Sequence, residues 1–112
     1  MLKPGVYDIK LQRRADYSVL LTLKDSTGSP INLTGWSAAA QAWDYTRTTK
    51  HADFTITYTD RPAGQITLSL TATQTTSFPK EAQYDLLLTN PSGIKEYYLE
   101  GTIVTSEGYT AP

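Results

Sequence analysis

The sequence predicts an all-β protein, an immunoglobulin-like antiparallel β-sandwich of about seven strands, on three observations. Threonine is the most frequent residue, 18 of 112, and Thr, Tyr, Val and Ile favour a pleated surface over a helical one. Apolar side chains recur at every second position in segment after segment, the period that places them on one face of a strand. Clusters of Gly, Pro, Asn, Asp and Ser separate these segments and supply turn geometry. A chain of 112 residues fills one domain, since a single core organises about 100–150 residues. Residues 1–112 are therefore expected to form one sandwich, with flexible arms at about 1–5 and 106–112.

In chain order, Tyr7, Ile9 and Leu11 alternate with Asp8, Lys10 and Gln12 as a first strand over about 6–12. Arg13-Arg14-Ala15 is a turn, and Tyr17, Val19, Leu21 and Leu23 then face the core from a second strand that stops at the turn-forming run 25–30. The segment Trp36 to Tyr45 holds Ala38, Ala39, Ala40 and Ala42, good helix formers. A strand is the preferred reading, because the segment is short, lacks a helical charge pattern and lies between segments of clear period 2. Its small side chains would let a large aromatic approach closely. Phe54, Ile56 and Tyr58 form one arm of a hairpin, Asp60-Arg61-Pro62-Ala63-Gly64 its turn, and Ile66, Leu68 and Leu70 the other arm. Residues 71–80 break the pattern and have room for one helical turn. Tyr84, Leu86 and Leu88 mark a sixth strand, and Asn90-Pro91-Ser92-Gly93 turns into a last long strand over about 94–105.

Composition excludes several chemistries. No cysteine is present, which removes disulfides, thiol catalysis and Cys-based zinc sites. With 10 Lys and Arg against 11 Asp and Glu, the formal net charge is −1, not the basic field that a nucleic-acid surface needs. No apolar run approaches the roughly 20 residues that span a bilayer, and Met1-Leu2-Lys3-Pro4-Gly5 does not open a signal peptide. The expected product is soluble and unsecreted, with no membrane or nucleic-acid partner. Its single histidine, His51, lies in the polar stretch Thr48-Thr49-Lys50-His51-Ala52-Asp53 and reads as a solvated loop residue rather than a general base. The carboxylates are dispersed along the chain without calcium-loop spacing, and read as solvent-facing strand and turn residues. Neither Gly-x-Gly-x-x-Gly nor the P-loop spacing occurs. Catalytic, cofactor-binding and metal residues are therefore expected to be none.

The aromatic residues carry more information. Strand alternation puts Trp36 and Trp43 on opposite faces, and Tyr97 and Tyr98 likewise, so at least one of each pair points outward. Outward Trp and Tyr anchor protein interfaces or stack on sugars. Trp43, Tyr45, Tyr97 and Tyr109 are the interface candidates. At the mouth of the sixth strand, Phe78-Pro79 followed by Tyr84 resembles a tyrosine corner, in which the phenol bonds back to upstream backbone and pins the crossover between sheets.

A larger resemblance rests on residues in order. Asp16-Tyr17 opens an apolar strand; Lys24-Asp25 precedes Gly28-Ser29-Pro30-Ile31-Asn32-Leu33-Thr34-Gly35; Gly64-Gln65-Ile66-Thr67-Leu68-Ser69-Leu70-Thr71 leads to Gln74-Thr75; then come Tyr84-Asp85-Leu86, Gly93 and Tyr98-Leu99-Glu100-Gly101-Thr102-Ile103. Over about residues 15–105 this succession resembles a structural module of tailed-phage virions, similar to the amino-terminal domain of phage baseplate upper proteins and to small standalone phage structural proteins. It departs from that pattern at Glu81-Ala82-Gln83, where a glycine usually precedes the Tyr-Asp pair, and no fibre or coiled-coil extension is expected, nor the bridging role of the larger baseplate proteins. The resemblance implies a non-catalytic component of a head (as decoration or cement), neck, tail or baseplate. Its expected partners are the major capsid, neck, tail or baseplate proteins, it forms a homo-oligomer in the particle, and it is made in the host cytoplasm. Within the pattern, Leu33-Thr34-Gly35 sets up the turn into the strand that follows, and Gly101 permits close packing or a bulge. The competing function is a carbohydrate-binding sandwich for host adhesion that uses Trp43, Tyr45 and Tyr97.

Overall fold

Period-2 alternation builds the strands of the protein, whose computed structural model describes residues 5–107. The elements run β1 (Gly5–Val6), β2 (Ile9–Gln12), β3 (Tyr17–Thr22), β4 (Ser37–Trp43), β5 (Lys50–Asp53), β6 (Thr55–Asp60), β7 (Gln65–Leu70), α1 (Ala72–Thr76), β8 (Glu81–Thr89) and β9 (Lys95–Ser106). A larger sheet has the order β1-β9-β8-β4-β5 with β2 also on β9; a smaller one has the order β3-β7-β6. The two pack as an immunoglobulin-like sandwich, and most of their pairings are antiparallel. The alanine-rich segment is strand β4. Ala42 is the register partner of both Ala52 and Tyr84, and its small side chain coincides with a close aromatic pair, Phe54 and Tyr84, whose rings lie 5.9 Å apart.

One apolar cluster fills the space between the sheets. Ile66, Leu68 and Leu70 point into it from β7, Leu86 and Leu88 from β8, Ile103 from β9 and Ile9 and Leu11 from β2. Burial of this kind is worth about 25 cal/mol for each Å² of apolar surface removed from water, and it is the main term opposing chain entropy. The crossover from β7 to β8 is held by α1. Thr71 and Gln74 form a reciprocal capping box, and the buried Thr75 hydroxyl donates to the Ala15 carbonyl at 3.0 Å, which anchors the turn to the β2–β3 corner.

Four features differ from the sequence expectation. The single first strand, 6–12, is two short strands, β1 and β2, both parallel to β9. The break falls at Tyr7-Asp8 because the Asp8 carboxylate accepts the Thr102 amide at 3.0 Å, where a backbone carbonyl would otherwise continue the ladder. His51 is not a loop residue. It sits half-buried in β5, its ring 5.8 Å from that of Phe78, and its Nε2 is buried with no hydrogen-bond partner among the described residues. Lys50–Asp53 escapes a periodicity test because Ala52 is its one apolar residue. The inner residues of the two expected arms are also strand, since Gly5 pairs with Leu99 and Ser106 with Gln12. Glu107 follows β9 and pairs with Arg13 and Arg14; residues 1–4 and 108–112, with Tyr109, lie outside the described residues.

The fourth difference concerns the tyrosine corner. Tyr84 donates its hydroxyl to the carbonyl of Tyr7, far upstream in the β1–β2 link, rather than to the nearby crossover. That crossover is held instead by Arg13, whose guanidinium donates to the carbonyls of Phe78 and Thr76. Other phenols also fasten separate elements. Tyr58 accepts the Ala38 amide at 2.9 Å, linking β6 to β4 across the sandwich. Tyr98 bonds both backbone groups of Lys24, at 2.8 and 3.1 Å.

Arg61 closes one end of the sandwich by donating to the carbonyls of Leu33 and Trp36 at 3.1 and 2.7 Å while stacking 3.7 Å above the Tyr58 ring. Hydrogen bonds from a charged donor are worth about 1.5–3 kcal/mol. Arg61→Ala is accordingly expected to lower the unfolding free energy by roughly 2 kcal/mol, measured by urea denaturation; a loss under half that would show the contacts to be incidental.

Candidate binding site

Alternation places Ala39, Gln41 and Trp43 of β4 and Gln83, Asp85 and Leu87 of β8 on the outer face of the larger sheet. On β9 a register irregularity between Leu86 and Leu87 leaves Tyr97 opposite Leu87 and Glu100 opposite Asp85, so both point the same way despite their odd separation. Three rows result across the strands. One reads Lys50-Trp43-Gln83-Thr102, the next Asp53-Gln41-Asp85-Glu100-Val6, and the third Ala39-Leu87-Tyr97. The face is concave and encloses about 490 Å³, with Tyr45 and Arg47 from the β4–β5 hairpin at one end and Val6 and Asp8 at the other.

Local hydrogen bonds hold this arrangement. Trp43 Nε1 donates to Gln41 Oε1 at 2.9 Å. Arg47 adopts a left-handed backbone, φ 57°, which turns the hairpin and brings its guanidinium 4.6 Å from the centre of the Trp43 ring. Asp44 braces the same hairpin by accepting the Thr48 amide at 2.6 Å, and that bond is the main cause of its carboxyl lying below the usual carboxylate range. Gly101 lets the backbone of Tyr7 pass directly over β9. Gly35, with φ 81°, occupies the third position of a turn closed by Trp36 N to Leu33 O at 2.9 Å, where a positive φ is required.

Asp85 and Glu100 are the electrostatic centre. Cross-strand partners have Cβ atoms about 4.5–5.5 Å apart, and like charges there oppose one another. Burial, then the Glu100 carboxylate, raises the Asp85 pKa above its ordinary 3.8, with Arg47 acting in the opposite sense. Because the folded value is raised, the fold binds the Asp85 proton more tightly than the unfolded chain does. Its contribution to stability therefore falls as pH rises from the ordinary value through the raised one, leaving a cost at neutral pH. Asp85→Asn is expected to stabilise the protein by about 0.2–1 kcal/mol at pH 7, with no gain below pH 3.8. Thermal unfolding of both forms across pH 3–8 checks this; a destabilised variant at pH 7 would contradict it.

Three of the four aromatic residues chosen from the sequence meet here. Trp43 lines the concavity half-buried, while Tyr45 and Tyr97 are 88% and 51% exposed at its rim; Tyr109 lies outside the described residues. Tyr84 contributes to the floor, its phenol pKa pushed upward mainly by burial. Sequence reasoning missed the polar part of the site. Asp85 and Glu100 were expected to be scattered solvent-facing carboxylates, whereas strand pairing makes them neighbours. The alternation that points Leu86 and Leu88 inward also points Asp85 outward, but only the β8–β9 register reveals what stands beside it. Among the described residues no three His, Asp or Glu side chains gather as a metal site, and no helix is long and apolar enough to cross a membrane.

Comparison with known proteins bears on the fold. No protein-family model and no curated protein matches the sequence. Among solved structures, the chain is similar to the filamin domain of Lin-41 at 18% identity and a TM-score of 0.50, covering 88% of this chain and 84% of that one. It is also similar to a chain from the complex of ICOS with ICOS-L and an anti-ICOS-L VNAR domain, at 13% identity and a TM-score of 0.55, covering 92% of this chain and 56% of the other. The immunoglobulin-like sandwich is shared. At these identities the likeness is one of fold alone.

Proposed function

We propose that the protein is a non-catalytic structural component of a tailed-phage virion that docks onto other virion proteins through the concave outer face of its larger sheet. One observation carries the docking: of seven exposed large hydrophobic residues among the described residues, three, Val6, Tyr45 and Tyr97, ring this concavity, around the half-buried Trp43. A rim of exposed aromatic side chains about a half-buried tryptophan is the composition of an interface hot spot. The virion assignment draws on the ordered residue pattern from Asp16-Tyr17 to Tyr98–Ile103. On this reading the chain works in a head, neck, tail or baseplate position, in several copies, after synthesis in the host cytoplasm. Mass spectrometry of purified particles tests it: the chain is expected at a fixed ratio to the major capsid protein, and its absence from washed particles would reject the assignment.

A second reading, a carbohydrate-binding sandwich for host adhesion, is favoured by the placement of Trp43, Tyr45 and Tyr97 beside Gln41, Gln83 and Asp85, since sugars are held by ring stacking together with planar polar groups. A glycan array with Trp43→Ala as control separates the two. Reproducible binding that this change abolishes, without cleavage of the sugar, supports the adhesin.

A further inference from the structure

We propose that the partner presents a lysine or arginine side chain to this face, seated between the carboxylates of Asp85 and Glu100 and covered by Trp43 and Tyr97. The inference rests on the docking reading and names the chemistry of the partner. Charge is the first argument. The concavity is lined by four carboxyl groups, those of Asp8, Asp44, Asp85 and Glu100, against the single guanidinium of Arg47, a formal −3 on a chain whose total is −1. The remainder of the protein is therefore net positive, and the excess of negative over positive charge lies beside Trp43, Tyr45 and Tyr97.

The second argument is a repulsion that Arg47 offsets only in part. Asp85 and Glu100 are directly opposed across β8 and β9, and neither is in an ion pair among the described residues. Asp8 and Asp44, by contrast, are engaged by backbone amides. A cation between two such carboxylates removes the repulsion and gains charge-assisted hydrogen bonds from each. Burial first, and the Glu100 carboxylate second, hold the Asp85 pKa above its ordinary value, in the direction this repulsion requires.

The third argument is that the face already accommodates one cation. Arg47 stacks on the Trp43 ring, which shows that the aromatic lining accepts a guanidinium by cation–π attraction. Tyr97, half-exposed in the row next to Asp85 and Glu100, offers a second ring for an incoming cation. A sugar would use the rings and the planar groups but would leave the carboxylate repulsion in place. A basic side chain uses both.

Hexalysine and hexaarginine peptides are suitable probes, with hexaglutamate as control. NMR shifts of the Trp43 indole and calorimetric affinities are measured for the wild type, Asp85→Asn, Glu100→Gln and the distant control Asp60→Asn. The expected result is binding of both basic peptides, weakened about tenfold by either change at the carboxylate pair and by raised salt, with Asp60→Asn unchanged. Because Asp85→Asn is expected to be the more stable protein, loss of binding there reads the site and not unfolding. Equal affinity in the wild type and the Asp85→Asn, Glu100→Gln double variant overturns the proposal, as does an indole that responds to oligosaccharides and not to basic peptides. The docking reading fails separately, if particles load a Trp43→Ala protein as well as the wild type.

Discussion

Leu86→Ala is expected to lower the unfolding free energy by about 2–5 kcal/mol, a large share of the roughly 5–15 kcal/mol that holds a domain of this size. Leu86 is fully buried on β8, the strand flanked by β9 and β4, where Leu99 and Ala40 are its register partners. The alanine on one side and the close rungs of the ladder on the other leave little with which to refill the space, so the loss includes a cavity as well as transfer of apolar surface. Urea denaturation followed by tryptophan fluorescence measures the effect. Leu20→Ala supplies the contrast: Leu20 is 54% exposed on the outer face of the smaller sheet, and its truncation is expected to cost no more than about 0.5 kcal/mol. Equal costs at the two positions would mean that the interior is not where alternation puts it.

Gly101→Val is expected to be comparably severe, for the opposite reason. A Cβ at this position would lie 2.8 Å from the carbonyl carbon of Tyr7 and 3.0 Å from Cε1 of Tyr84, with the Tyr7 oxygen closer still. Tyr7 has no slack with which to move. Its amide donates to the Glu100 carbonyl at 3.0 Å, and its own carbonyl accepts the Tyr84 hydroxyl. Relief of the clash breaks one of these bonds or displaces the β1–β2 link from β9, at a cost of roughly 3 kcal/mol or more. Faster hydrogen exchange at Tyr7 and Thr102 is the local signature. Gly93, with φ 86° and open space around it, is the control: Gly93→Ala is expected to cost only about 1 kcal/mol, from backbone strain. A mild effect at Gly101 would show that the N-terminal segment does not pass over β9 as described.

The contrast between these glycines shows what the sequence disclosed. Turn glycines such as Gly35 and Gly93 stand in polar clusters and are legible locally. The resemblance marks Gly101 as a place of close packing or a bulge, but the segment that packs on it lies more than ninety residues away, and no local period names that segment. The same division runs through the fold. The long strands were readable because burial on one face imposes a period of two, and even the alanine-rich β4 yielded to its neighbours' period. Short strand β5 was not readable, because an edge strand needs one buried side chain, Ala52, and not an alternating set. Tyr84 stood out in the sequence as a residue that could bond back to upstream backbone, but its partner Tyr7 depends on the parallel docking of the N-terminal strands. In the candidate site, Trp43, Tyr45 and Tyr97 were visible as aromatic residues too numerous for one core. Asp85 and Glu100 were not, since charged residues on a strand look alike until the register sets two of them side by side.

The surplus of aromatic residues also has a more specific explanation than simple exposure. Tyr58, Tyr84 and Tyr98 bury their rings against the core and use their hydroxyls to bond backbone groups of other elements, so they join sheet to sheet and strand to link. Tyr45 and Tyr97, with Trp43, stand instead together on one face, and the case for docking rests on them.

The most direct measurement is the loading of a Trp43→Ala, Tyr97→Ala double variant onto particles assembled without the native chain, scored against wild type by quantitative mass spectrometry after circular dichroism has confirmed an unchanged fold. The account predicts that the variant folds and is left behind, with occupancy reduced about tenfold or more. Wild-type occupancy by the folded variant would contradict it and would place the contact on another surface.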